Sequence, residues 1–266
     1  MTKGFAGTLI LSFVGVLYTA GFLVWGFKQG FETSVPDSLS VSGVVASFLY
    51  LGSVLLVIHL SVKKWRASLA IALGLLLWYA TVLFLGQKGF FAERPLFAPN
   101  IIFAFILIVL GIKYLYQSSL LQKFFEAISP SWLIGVQLFR IMGVGFLTLY
   151  MMKLLPGEFA IPTGIGDIII GLTAPIVAYI YTLKKSYSRP LAVLWNLAGI
   201  TDLVTSIILG ISTYPLPHPL PQQVINTDIS NAPIALFPLV IIPVFAVPLS
   251  ILLHLFSLRA MRVVKK

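Results

Sequence analysis

The stretch Gly164–Leu183, GIGDIIIGLTAPIVAYIYTL, is followed by the linker Lys184–Pro190, KKSYSRP, and then by Leu191–Thr213, LAVLWNLAGITDLVTSIILGIST. Each apolar run is about as long as the ~20 residues a helix needs to cross the hydrocarbon core of a bilayer. The linker holds Lys184, Lys185 and Arg189, cations that a bilayer interior would not accept. Two antiparallel membrane helices are the direct reading. Each carries one aspartate within its apolar run, Asp167 in the first and Asp202 in the second.

The same pattern recurs on both sides of this hairpin. Further candidate spans are Phe5–Phe27, Val44–Val62, Leu69–Gly86, Pro99–Tyr116, Trp132–Leu154 and Phe237–Leu258, which with the hairpin predicts eight crossings. Composition agrees: 59% of residues are hydrophobic and 10% charged, where soluble domains carry about 25% charged residues. The mean hydropathy is +1.01. No polar stretch is long enough to fold by itself, so residues 1–266 read as a single transmembrane domain, an all-α polytopic bundle. The apolar run after Lys3 is too long for a secretory signal and lacks a small-residue cleavage site, which predicts a retained first helix.

Orientation follows from where lysine and arginine fall, because cytoplasmic loops retain them during insertion. One side holds Lys3, Lys63, Lys64, Arg66, Lys113, Lys123, Lys184, Lys185, Arg189, Arg259, Arg262, Lys265 and Lys266; the other holds Lys28, Lys88, Arg94 and Lys153. This asymmetry predicts a multi-pass protein of the cell membrane with both termini cytoplasmic. Between the fourth and fifth spans, Leu120, Leu121, Phe124, Phe125 and Ile128 recur at helical spacing opposite Gln122, Lys123 and Glu126, a pattern expected of a short amphipathic helix in the interface. Trp65, Trp132 and Trp195 fall near the same boundary and read as aromatic-belt anchors. The connection Tyr214–Leu236 alternates Pro215, Pro217, Pro219 and Pro221 with other residues and is expected to be extended and external.

Several classes are excluded or unsupported. The chain has no cysteine, so it forms no disulfide or thiolate metal site. Its net charge of +10 lies in short loops rather than on a soluble basic face, so nucleic acid is not an expected partner. No zinc-protease, nucleophile-elbow or phosphate-loop motif occurs.

The residues that do not belong in lipid are Arg140, Asp167, Asn196 and Asp202. A charged side chain at a helix centre costs about 2.5–3.5 kcal/mol on the insertion scale, so these groups are expected to face the bundle interior and one another. With a rise of about 1.5 Å per residue, Arg140 and Asp202 lie roughly 15 and 18 Å above the cytoplasmic boundary, and Asp167 near 22 Å, closer to the outer entrance. Gln137 and Gly143 share the face of Arg140, and Thr205 and Ser206 that of Asp202. One arginine and two aspartates leave a formal surplus of one negative charge, which a low-dielectric site resists unless a proton or cation is taken up. Pro175 in the sixth span and Pro238, Pro243 and Pro248 in the last would free backbone carbonyls inside the bundle.

Two further patterns bear on function. Gly164-Ile165-Gly166-Asp167-Ile168 resembles Gly199-Ile200-Thr201-Asp202-Leu203 in a helix of opposite direction, as in inverted-repeat transporters or by chance. His59 and His254 both lie about 6–8 Å from the cytoplasmic boundary, which raises b-type haem ligation as an alternative cofactor assignment. The leading expectation is a small permease, proton- or cation-coupled, without a cofactor, whose partners are the lipid bilayer and a small solute, proton or cation. A membrane-embedded enzyme or b-haem redox protein is the alternative. A non-catalytic membrane scaffold, with the polar cluster as glue, is the third.

Overall fold

The computed structural model describes residues 37–61, 65–91, 108–110, 113, 128–215 and 223–263. Its elements are helical, with no strand among the described residues. Helix α1 spans Asp37–Ser61 and α2 Trp65–Gln87. The continuous helix α3, Pro130–Met151, is followed by α4, Gly157–Thr182, and α5, Ser188–Ser212. After a short 3₁₀ turn, Ala232–Ala235, and a π turn, Ile242–Ala246, α6 runs Val247–Val263. Four of these helical stretches are long and apolar enough to cross a membrane: α3, α4, α5 and Ile242–Arg262.

The faces of α4 and α5 explain why lipid rather than water surrounds them. Ile165, Ile169, Leu172 and Ile176 recur along one exposed side of α4, while Ala174, Val177 and Ala178 are buried on the other. On α5, Leu194, Leu197, Val204 and Ile208 are exposed. A soluble protein does not present stripes of this kind, and a bilayer solvates them. α3 and Ile242–Arg262 are each 67% buried, against 39% for α4 and 33% for α5, so the first pair is central and the second peripheral.

The core packs around that central pair. Tyr50 of α1 stacks on Phe139 of α3 at a centroid separation of 3.5 Å, and Phe245 of the π turn meets Trp78 and Tyr79 of α2 edge-on at 4.9 and 5.0 Å. On the other side, Ile134 packs with Ile170, Ala174, Val177, Trp195 and Met261. Trp195 is therefore a core residue and not a belt anchor. It is 7% exposed, and its indole donates to Thr173 Oγ1 of α4 at 2.8 Å.

Other expectations shift at helix ends. α4 begins at Gly157, seven residues before the expected Gly164, because Pro156 caps it through its carbonyl to the amides of Phe159 and Ala160. Pro162 lies in the second turn, past the four amides that a helix N-terminus leaves free, so it supplies no amide for the Glu158 carbonyl one turn earlier. Asp167 is thus ten residues, roughly 15 Å, into its helix, near the middle of the 26-residue α4. The last helix starts later than Phe237, since residues 237–240 form a turn that leaves Pro238 outside it. The carbonyl of Leu239, which Pro243 deprives of a helical partner, accepts from the Ile242 amide at 2.9 Å. The expected first span, most of the fourth and the interfacial helix before Ile128 fall outside the described residues.

Residues 223–231 of the connection after α5 fold over that helix end, while Pro217, Pro219 and Pro221, on which the expected extended stretch rests, lie outside the described residues. Asn231 Nδ2 donates to the Gly210 carbonyl at 3.0 Å, the Ile225 amide to Ser212 at 2.8 Å and Gln223 Nε2 to Thr213 at 3.0 Å. These bonds satisfy carbonyls that every helix C-terminus leaves without partners. They also bring Asn231 to the end of the bundle core.

Candidate functional site

Arg140 lies in the middle of α3, within a 3₁₀ segment, Val136–Gly143. Side chains three apart eclipse in a 3₁₀ helix, so Gln137, Arg140 and Gly143 line up on one face. All three are buried, and Arg140 is 2% exposed. Such an interruption inside a longer helix is a frequent mark of a functional or strained position.

The guanidinium is bonded on every side. Nε donates to Asp167 Oδ1 at 2.7 Å, and Nη2 to Asp202 Oδ2. Nη1 faces the Gly199 carbonyl at 3.4 Å and His254 Nε2 at 3.3 Å. Arginine has only donors, so Nε2 must accept and Nδ1 must carry the ring proton. Nδ1 then donates to Asn196 Oδ1 at 3.0 Å, and Asn196 Nδ2 donates to the Ala192 carbonyl at 2.7 Å. Each polarity in the chain from Ala192 to Asp167 is consistent with the next.

Of the four residues singled out from the sequence, Asp167 and Asp202 both pair with Arg140, and Asn196 joins them only through His254. The two Gly-Ile-x-Asp segments, on antiparallel helices, converge on one guanidinium. Close approach makes this possible: a Cβ at Gly166 would overlap the Asp202 carboxylate, one at Gly199 the His254 ring and one at Gly143 the Asp167 side chain. Gln137 also faces inward, donating to the Ser250 carbonyl at 3.1 Å. Ser206 is buried but spends its hydroxyl on its own helix, on the Asp202 carbonyl at 3.0 Å. Thr205 is exposed and takes no part.

The residue that sequence reasoning misplaced is His254. Taking Arg259 as the membrane boundary set it near the cytoplasmic surface. Arg259 is only partly exposed, however, and the helix continues to an exposed Arg262, so His254 lies about 12 Å inside that end. It is fully buried beside Trp195, with ring centroids 5.2 Å apart. Both of its nitrogens are engaged within the cluster, while His59, the other histidine of the haem alternative, is exposed on α1. Among the described residues no three His, Asp or Glu side chains are grouped as metal ligands would be.

A cavity of about 120 Å³ opens beside the cluster, walled by Phe146, Phe159, Ile207 and Pro243. Its polar members are Thr163, Asp167, Ser206, Tyr214 and Asn231. Asp167 and Asp202 are 16% and 17% exposed, so the acids are open where the arginine between them is sealed.

Fold and site together define a helical membrane protein whose spans converge on a buried Arg–Asp–Asp cluster. Residues 96–262 match the family described as Domain of unknown function (DUF8737), and the chain belongs to that family. The matched region contains every member of the cluster and both helices of the hairpin. No curated protein and no solved structure matches the chain.

Proposed function

We propose that this protein is a small permease of the cell membrane, with eight spans and both termini cytoplasmic, that couples solute movement to a proton or another cation. One observation carries the reading: a single arginine sealed between two partly open aspartates, one of which lines a cavity. The site holds one negative charge more than its own residues neutralise, and low dielectric makes that surplus costly until a cation or proton joins it. The mid-helix placement of Asp167 supports the reading, since coupling sites of transporters lie near the bilayer midplane between helices of opposite direction. The π turn Ile242–Ala246, with Pro243 against the cavity, adds a segment of irregular backbone where such sites use it.

The scaffold reading draws on a specific feature as well, the complete bonding of Arg140 and His254, which suits polar glue between helices. Charge movement in proteoliposomes separates the two. Under an imposed proton or sodium gradient, the native protein is expected to pass current that Asp167→Asn abolishes and the exposed control Leu172→Ala retains. Folded native protein that passes no current under either gradient would count against the cation-coupled permease and favour the scaffold.

A further inference from the structure

Among the polar side chains of the cavity, two have buried oxygens with no hydrogen-bond partner: Thr163 Oγ1 and Asn231 Oδ1. Thr163 is 4% exposed and Asn231 is fully buried. Buried polar groups are ordinarily satisfied, and leaving one unpaired carries a desolvation penalty. Thr163 stands one turn before Asp167 on the same face of α4, so hydroxyl and carboxylate are neighbours on one wall. Asn231 enters from the connection after α5, held there because its amide nitrogen is spent on Gly210. Asp167 is an acceptor when ionised and gives only one oxygen to Arg140.

These groups share a need for a donor. An anion would meet a site that already has one negative charge too many, and a bare alkali cation would find too few oxygens among apolar walls. A ligand with several N–H donors, one positive charge and an apolar body meets all of the requirements. We propose that the cavity is a binding site for a small primary amine in its ammonium form, the ammonium between Asp167 and Thr163 and the body against Phe146, Phe159 and Ile207, toward Asn231 at the far end. The cavity, about 120 Å³, is smaller than the apolar cavity of about 150 Å³ that accepts benzene, so the body is a short alkyl chain and not an aromatic ring. This deepens the permease reading, on which it rests for the ligand's passage but not for its binding.

The test is binding by purified full-length protein in detergent, with butylamine as the probe. Butanol removes the charge, butyrate reverses it and butyltrimethylammonium keeps the charge without donors. Butylamine alone is expected to raise the melting temperature, and Asp167→Asn to abolish the shift. Thr163→Val gives a readout that a purely structural role would not move: the empty protein should melt no lower than native, having lost an unsatisfied hydroxyl, while butylamine binds roughly 10–100-fold more weakly. Equal binding of butanol or the quaternary amine would overturn the proposal, as would a butylamine shift that survives both substitutions or the absence of any shift in native protein. Because no membrane is present, amine binding without current would sink the permease reading alone, and gradient-driven current without amine binding would sink this proposal alone.

Discussion

Arg140 Nε lies 2.7 Å from Asp167 Oδ1, joining the 3₁₀ segment of α3 to the middle of α4 at the crossing of the two helices. Because Asp202 shares the same guanidinium, removing the cation strands two carboxylates in the bundle. Arg140→Ala is expected to cost about 3–5 kcal/mol, and Arg140→Lys to recover little, since an ammonium lacks the planar fork that reaches both acids. Asp167→Asn keeps an acceptor for Nε and leaves Asp202 as counter-ion, so its cost is expected to stay near ~1 kcal/mol. Melting in a fixed detergent ranks the three; equal damage from Arg140→Ala and Asp167→Asn would contradict the shared-arginine geometry.

Gly166 and Gly199 test how closely the site is built. A methyl group at Gly166 meets the Asp202 carboxylate, and at Gly199 it meets the imidazole of His254. Overpacking of this kind costs about 1–3 kcal/mol. Gly166→Ala and Gly199→Ala are expected to lower the melting temperature, whereas Gly74→Ala on α2, where nothing lies within 4 Å, is expected to leave it unchanged or raise it. Indifference to both site substitutions would mean that the helices stand farther apart.

What was legible in the sequence divides along physical lines. The long apolar runs report helix existence directly, and intramembrane charges must find one another, so Arg140, Asp167, Asn196 and Asp202 were recoverable together. Depth was not, because it was counted from prolines and basic residues taken as boundaries. Pro162 sits inside α4 and Arg259 inside α6, which displaced Asp167 outward and His254 toward the surface. Trp195 misled in the same way: proximity to Arg189 suggested an interface, yet its partner Thr173 is on a neighbouring helix. A tryptophan, an asparagine and a histidine in otherwise apolar spans were the available signal, but their mutual contact is tertiary.

The His254–Asn196 bond predicts coupling between the two side chains. Removing His254 leaves Asn196 Oδ1 without its partner and removing Asn196 leaves His254 Nδ1 without its own, so His254→Phe and Asn196→Leu should each be costly. The double variant removes both polar partners and is expected to be less damaged than the sum, with a coupling energy of about 0.5–3 kcal/mol. Strict additivity in melting experiments would show that the two do not interact.

The absence of cysteine makes the proposed topology directly testable, because single cysteines can be introduced without a background. Lys184 is exposed in the α4–α5 connection, and Asp228 is exposed in the connection beyond the opposite end of α5. If α5 crosses the bilayer, these positions must lie on different sides, and the basic residues around Lys184 assign it to the cytoplasm. In intact cells a membrane-impermeant maleimide is expected to label Asp228→Cys at once and Lys184→Cys only after permeabilisation. Labelling of both from outside would remove α5 as a span. The reverse pattern would keep the span but invert the bundle.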